Sequence, residues 1–116
     1  MIYTSYWALS NKVPNPISIS LSSPKYFRGE RLPLLMPTWS MVDKYKKKLI
    51  SKRDYVKEYI ALLRSRGTVK ELYSCIPDNS TLMCWEKSGE FCHRRVFALY
   101  VEEVLDIQIK EWSRLS

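Results

Sequence analysis

The sequence predicts an α/β fold: one compact domain spanning 1–116, with a small, mostly parallel sheet flanked by helices. Three observations carry this. β-rich segments stand near both ends and enclose a helical middle. The segment 80–86 runs through a short turn straight into a helix, as half of a β-α-β unit does. A chain of 116 residues suffices for one hydrophobic core but not two.

Taken in order, residues 2–7 (IYTSYW) are rich in aromatic and β-branched types and read as a first strand. ALSNKVPNP follows, and its prolines at 14 and 16 make it a loop. In 17–22 (ISISLS) Ile17, Ile19 and Leu21 alternate with serines, the pattern of a strand with one apolar face. The segment 23–39, with three prolines and one glycine, is irregular, and loops of that length often wrap a functional face. Ser40-Met41-Val42-Asp43 resembles a capping box and opens a short helix to about Lys48. Ser51-Lys52-Arg53-Asp54 repeats the signal and opens the clearest helix, whose stripe is Tyr55, Val56, Tyr59, Ile60 and Leu63. Gly67 is expected to end it in a left-handed cap. Thr68-Val69-Lys70-Glu71 caps a third helix that stops before Pro77. Residues 80–86 form a buried strand, KSGEF turns the chain, and 92–105 form a helix burying Val96, Phe97, Tyr100, Val101 and Val104. DIQIKEW closes the chain as a short edge strand.

Composition narrows the function classes. With 46% hydrophobic and 27% charged residues, the chain has the balance of a folded soluble protein rather than a disordered one. No apolar run approaches the ~18 residues of a membrane span. The N-terminus lacks the basic start and apolar centre of a signal peptide, so a cytoplasmic location and reduced thiols are expected for the three cysteines, Cys75, Cys84 and Cys92. A net charge of +7 favours acidic partners such as phosphate-bearing ligands or nucleic acid.

The residues with most chemical potential lie in CWEKSGEFCHRR, 84–95. A helix start there would attract anions through its amides and dipole, and Arg94 or Arg95 would add a bidentate grip. Cys92 sits where thiol pKa values tend to fall, and His93 suits a general base or an oriented donor. Glu86 leaves the strand end and could hold a ribose hydroxyl or an arginine. Structural readings stand beside these: Cys84 between Met83 and Trp85 reads as a core thiol, Cys92 is open between packing and function, and Glu86 could simply pin the turn. Zinc is not expected: the spacing of Cys84, Cys92 and His93 matches no finger pattern, and adjacent helical residues point about 100° apart. Glycine-rich phosphate loops, dinucleotide fingerprints, serine elbows and phosphatase loops are absent. Between Lys44 and Lys57 there are seven cationic residues and one acid, interleaved with Tyr45, Tyr55 and Tyr59. That stripe, with Lys46, Lys47 and Lys48 at its centre, could track a phosphate backbone, or be the solvated face of helices whose aromatics pack inward.

The segment TLMCWEKSGEFCHRRVFALYVEEVL resembles the C-terminal signature of the domain-of-unknown-function 488 family. There a strand carrying a cysteine and a Glu-Lys pair precedes Cys-His-Arg at a helix start. Here these are Cys84, Glu86, Lys87, Cys92, His93 and Arg94. ISISLSSPKYFRG, LMPTW and the lysine-rich helix are similar to a short branch of that family. The resemblance implies a compact cytoplasmic α/β domain with a polar site around the motif, and no established activity. Longer members carry Gly-His-Ser and Asp-Val-Arg where this chain has Thr4-Ser5-Tyr6 and Ser18-Ile19-Ser20. Those hydroxyls suit ligand binding better than acid–base work.

The expected function is therefore binding of, and a candidate action on, a small anionic metabolite such as a nucleotide. Arg94 with Cys92 and His93 would form its anion end, and Glu86, Lys87, Ser5, Ser22 and Lys25 its polar rim. Ser5–Trp7, Ser20–Lys25 and Glu86–Arg94 are expected to converge at the carboxyl ends of the strands. The alternatives are a nucleic-acid or protein-interaction module built on the basic stripe, and cysteine chemistry at Cys92.

Overall fold

Four short strands pair in parallel in the order β2-β3-β1-β4 in the computed structural model, which describes residues 1–113. β1 is Tyr3–Tyr6, β2 Pro16–Ser18, β3 Thr81–Cys84 and β4 Lys110–Glu111. Parallel strands need crossover connections: α1 Trp39–Lys46, α2 Lys52–Arg66 and α3 Val69–Ser74 link β2 to β3, α4 His93–Leu105 links β3 to β4, and the 7–15 segment with one 3-10 turn links β1 to β2. All four residues of β3 are buried, as expected for an inner strand of a parallel sheet. One apolar cluster runs from Ile2 and Ile17 through Tyr59, Leu63 and Leu82 to Phe97, Val101 and Ile109. The chain is thus a single α/β domain. No helix among the described residues is long and apolar enough to cross a membrane.

Local chemistry explains most element ends. Ser51 and Asp54 form a reciprocal capping box on α2, and Thr68 and Glu71 form another on α3. α1 starts two residues before the expected point, because Thr38 rather than Ser40 is the cap and accepts from the Met41 amide at 3.2 Å. Gly67 follows α2 in extended backbone (φ 158°, ψ 177°), not in a left-handed cap. The strand expected over 17–22 ends at Ser18. Ser18 instead exchanges backbone bonds with the 30–32 segment, its amide donating to Glu30 and its carbonyl accepting from Leu32. Val104, expected in the core, is 56% exposed. The buried line of α4 steps by four through Phe97 and Val101 to the partly buried Leu105.

The long segment before α1 is fastened from α2. Arg66 donates to the carbonyls of Pro33, Leu34 and Met36, the shortest at 2.6 Å. The buried Tyr59 hydroxyl donates to the Leu35 carbonyl at 2.5 Å. Burial, reinforced by Tyr55, raises the Tyr59 pKa well above the usual tyrosine value and keeps it a neutral donor. Tyr59→Phe should therefore destabilise the protein by about 1–3 kcal/mol, measured by urea denaturation. An unchanged midpoint would show that this bond does not hold the segment.

Candidate functional site

The turn between β3 and α4 brings the two ends of the motif together. Gly89 takes a positive φ of 91°, a conformation glycine adopts without steric cost. Cys92 is the N-cap of α4 in extended backbone, φ −152° and ψ 146°. It therefore lies outside the helix, and the 100° separation expected between neighbouring helical side chains does not apply to Cys92 and His93. Cys92 Sγ and His93 Nδ1 approach to 3.7 Å.

Cys84 ends β3 and its sulfur meets that of Cys92 at bonding distance across this turn, where the sequence suggests separate thiols, while the Cα atoms stand 7.6 Å apart, wider than a relaxed disulfide spans. The cause is topological: a strand end and the next helix start lie side by side, so residues eight apart in sequence become neighbours. Cys75 is a free, exposed thiol. The sulfurs of Cys84 and Cys92 and a ring nitrogen of His93 all lie within 4.8 Å of one another, and all three residues are buried. This is soft-ligand chemistry gathered at one point, which the spacing did not suggest.

His93 has a fixed role in this cluster. Its Nε2 lies 2.7 Å from the Ile19 carbonyl, an acceptor only, so Nε2 carries the proton and Nδ1 keeps its lone pair. Burial pushes the imidazole pKa down to about 4; the Ile19 bond partly opposes the shift and the Arg94 charge adds to it. At neutral pH the ring is an uncharged lone-pair donor and a weak base. Tyr59 packs edge-on against it, ring centroids 5.5 Å apart.

Arg94 faces inward. Its side chain is 0% exposed, and it forms a fork on Glu111, Nε to Oε1 at 3.1 Å and Nη2 to Oε2 at 2.8 Å. Nη1 donates to Cys84 Sγ at 2.8 Å. Thr4 and Ser88 also donate to Glu111, each at 2.6 Å. Burial raises the Glu111 pKa, but the bonds from Arg94, Ser88 and Thr4 outweigh that and hold the carboxyl below its ordinary range. Arg94 is thus engaged in an internal ion pair and is not among the residues lining the cleft.

That cleft, about 700 Å³, opens beyond the carboxyl ends of β2 and β3. Its floor includes Cys84, Cys92 and His93. One wall is aromatic, with Tyr45, Tyr55 and Phe91 in mutual contact at centroid distances of 5.2–5.5 Å. Burial raises the Tyr55 pKa, with Glu86 and then Tyr45 adding to the shift. Trp85 also lines the cleft and is anchored by Nε1 donating to the carbonyl and hydroxyl of Ser22, both at 3.1 Å. Trp7 packs on Trp85 at 6.2 Å. Of the three segments expected to converge, Ser20–Lys25 and Glu86–Arg94 meet at the cleft through Ser20, Ser22, Glu86, Cys92 and His93, whereas Ser5–Trp7 contributes no lining residue.

The individual residues divide. Ser20, Ser22, Glu86, Cys92 and His93 line the cleft. Ser5 is buried and donates to the Trp112 carbonyl at 2.6 Å. Lys25 and Lys87 are exposed and outside the lining. Lys46 and Lys48, read from sequence as part of a nucleic-acid stripe, stand on the cleft with Trp39. Lys47 pairs with Asp43 at 3.0 Å, and Lys44 with Glu58 at 2.8 Å. In the sequence Tyr45 and Tyr55 stand among the basic stripe, Trp39 in the irregular segment and Phe91 in the turn, and none of these settings announces the cleft edge they share.

The buried histidine makes stability depend on pH. Its folded pKa, about 4, lies below the ordinary 6.5, so between those values the unfolded chain binds more protons. The contribution is complete above about pH 6.5 and declines as the pH falls towards about 4, by roughly 3 kcal/mol in full. Urea denaturation of chelator-treated protein should show this loss in the wild type and its absence in His93→Gln. Equal slopes would refute the assignment. No protein-family model matches the chain, no curated protein matches its sequence and no solved structure matches its fold, so the reading of the site rests on its own residues.

Proposed function

We propose that the protein binds a small, planar, anionic metabolite of the nucleotide class in the cleft. The observation that carries this reading is the joint lining: the aromatic residues Trp39, Tyr45, Tyr55, Trp85 and Phe91 together with the cations Lys46 and Lys48. The volume of about 700 Å³ falls in the usual range for small-ligand sites. Aromatic faces stack on a base for about 1–3 kcal/mol each, and lysine ammonium groups attract a phosphate. Ser20, Ser22 and Glu86 offer hydroxyl and carboxylate partners for a sugar. The position beyond the strand ends is where α/β sheets commonly take ligands.

Relative to the sequence reading, the anion end moves from Arg94 to the two lysines. Kinship with the domain-of-unknown-function 488 family belongs to the same proposal and rests on the Cys-x-Glu-Lys and Cys-His-Arg residues. Cys92 and His93 line the same cleft and are the candidate groups for any action on the ligand.

Lys48 supplies a further clue. It follows Lys47, the C-cap of α1, with φ 60°, a left-handed conformation that costs a non-glycine residue about 1 kcal/mol or more. A glycine would satisfy the backbone better, so retaining lysine there suits a role for its charge. Lys48→Gly is expected to keep or raise stability by up to about 1 kcal/mol while weakening ligand binding. Calorimetric titration with nucleoside 5′-phosphates and the matching unphosphorylated nucleosides tests the reading. Phosphates should bind at least about ten-fold more tightly, a difference of about 1.4 kcal/mol, and Lys46→Ala with Lys48→Gly should abolish that preference. Absence of binding by every nucleoside phosphate, or a preference unchanged in the double variant, would refute it.

A further inference from the structure

We propose that, once reduced, Cys84, Cys92 and Nδ1 of His93 form a three-ligand site for a thiophilic divalent cation of the zinc class, with its fourth position open to the cleft. The inference stands apart from the nucleotide reading, since it concerns the floor of the cleft and not its walls.

Three independent features converge on it. The donor atoms lie within 4.8 Å of one another, and all three residues line the cleft floor. The Cα atoms of Cys84 and Cys92 stand 7.6 Å apart, wide enough for two thiolates to reach one ion. In a tetrahedral site with metal–sulfur bonds of about 2.3 Å the sulfurs sit about 3.8 Å apart.

The histidine is prepared for ligation. Donation of Nε2–H to the Ile19 carbonyl at 2.7 Å fixes the ring and leaves Nδ1 as the lone-pair atom, on the side of Cys92. Metal-bound histidines are usually held in this way, by a second-shell acceptor on the other nitrogen. A third feature supports the thiolate form. Arg94 donates to Cys84 Sγ at 2.8 Å, and a guanidinium beside a sulfur favours its anion. Glu111 holds that guanidinium in place.

Two cysteines and one histidine with a vacant fourth place form a donor set of the kind found in catalytic zinc centres, whereas structural zinc sites are closed by four protein ligands. Thiolates with imidazole select zinc-class ions over magnesium or calcium. Loading requires the reduced state. An external dithiol gives the Cys84–Cys92 bond two electrons and two protons and itself becomes a disulfide. The two resulting thiols each release a proton as the cation forms two metal–sulfur bonds and accepts the Nδ1 lone pair. A small-molecule disulfide reverses this: it takes two electrons from the thiolates and two protons from solvent, becomes two thiols, and the re-formed Cys84–Cys92 bond expels the ion.

Cobalt(II) is the probe, used with the 116-residue chain carrying Cys75→Ser to remove the exposed thiol. The protein is reduced with a dithiol and desalted under argon. One Co2+ per chain should bind, with thiolate-to-cobalt charge-transfer absorption and the strong visible bands of a tetrahedral ion, and Zn2+ should displace it. Cys84→Ser and Cys92→Ser should each weaken binding by more than about 100-fold, beyond the 10–100-fold that outer partners command. His93→Gln should shift the visible bands. Absence of a charge-transfer band in the reduced, folded parent protein overturns the proposal without any variant. A band unchanged by both serine substitutions, or retained after reoxidation, overturns it as well.

Discussion

The buried pairing of Arg94 with Glu111 is the constraint on which the rest of the structure depends. Placing a guanidinium at 0% exposure carries a desolvation penalty of several kcal/mol. It is tolerable because the planar fork meets a carboxylate in bidentate geometry and its third nitrogen meets Cys84. Glu111 in turn accepts from Thr4 and Ser88. One network therefore joins β1, the end of β3, the turn after it, the start of α4 and β4. It gives a two-residue edge strand a defined place beside β1. It also orients the first turn of α4, which presents Cys92 and His93 to the cleft.

From that arrangement the site's chemistry follows. An arginine used internally is not available to a ligand, so cationic attraction at the cleft falls to Lys46 and Lys48 at the end of α1. Arg94 instead acts at one remove, beside the Cys84 sulfur. His93 is held neutral by burial and oriented by Ile19, which makes it a lone-pair donor more than a base. The aromatic wall of Tyr45, Tyr55 and Phe91 joins α1, α2 and the turn before α4, so the cleft's shape and the helix packing have a common origin.

Much of this was legible in the sequence where the signal is local. The capping boxes at Ser51–Asp54 and Thr68–Glu71, the α2 stripe, the apolar run of β3 and the edge strand near 110 all read correctly, because each depends on residues a few positions apart. Errors came where a tertiary partner decided the outcome. Ile17-Ser-Ile-Ser-Leu-Ser alternates as a strand should, yet pairing of Ser18 with the 30–32 segment ends β2 early. Arg94 looked like an anion grip because nothing near it in sequence announces Glu111, seventeen residues on. Cys92 was treated as helical, and its position as an extended N-cap is what lets its sulfur meet His93 and Cys84. The lysines of α1 were read as one stripe, although Asp43 and Glu58 pair with two of them and the cleft takes two others.

The most direct test of this account is a double-mutant cycle on the ion pair, with Arg94→Met, Glu111→Gln and the double variant compared by denaturant unfolding. If the pair organises the fold, each single substitution leaves a buried group without its partner and costs about 3–5 kcal/mol. The double variant should then be more stable than the sum of the single effects implies, by at least about 1.5 kcal/mol. Single losses that add to within about 0.5 kcal/mol would mean the two residues act separately, and would contradict the account.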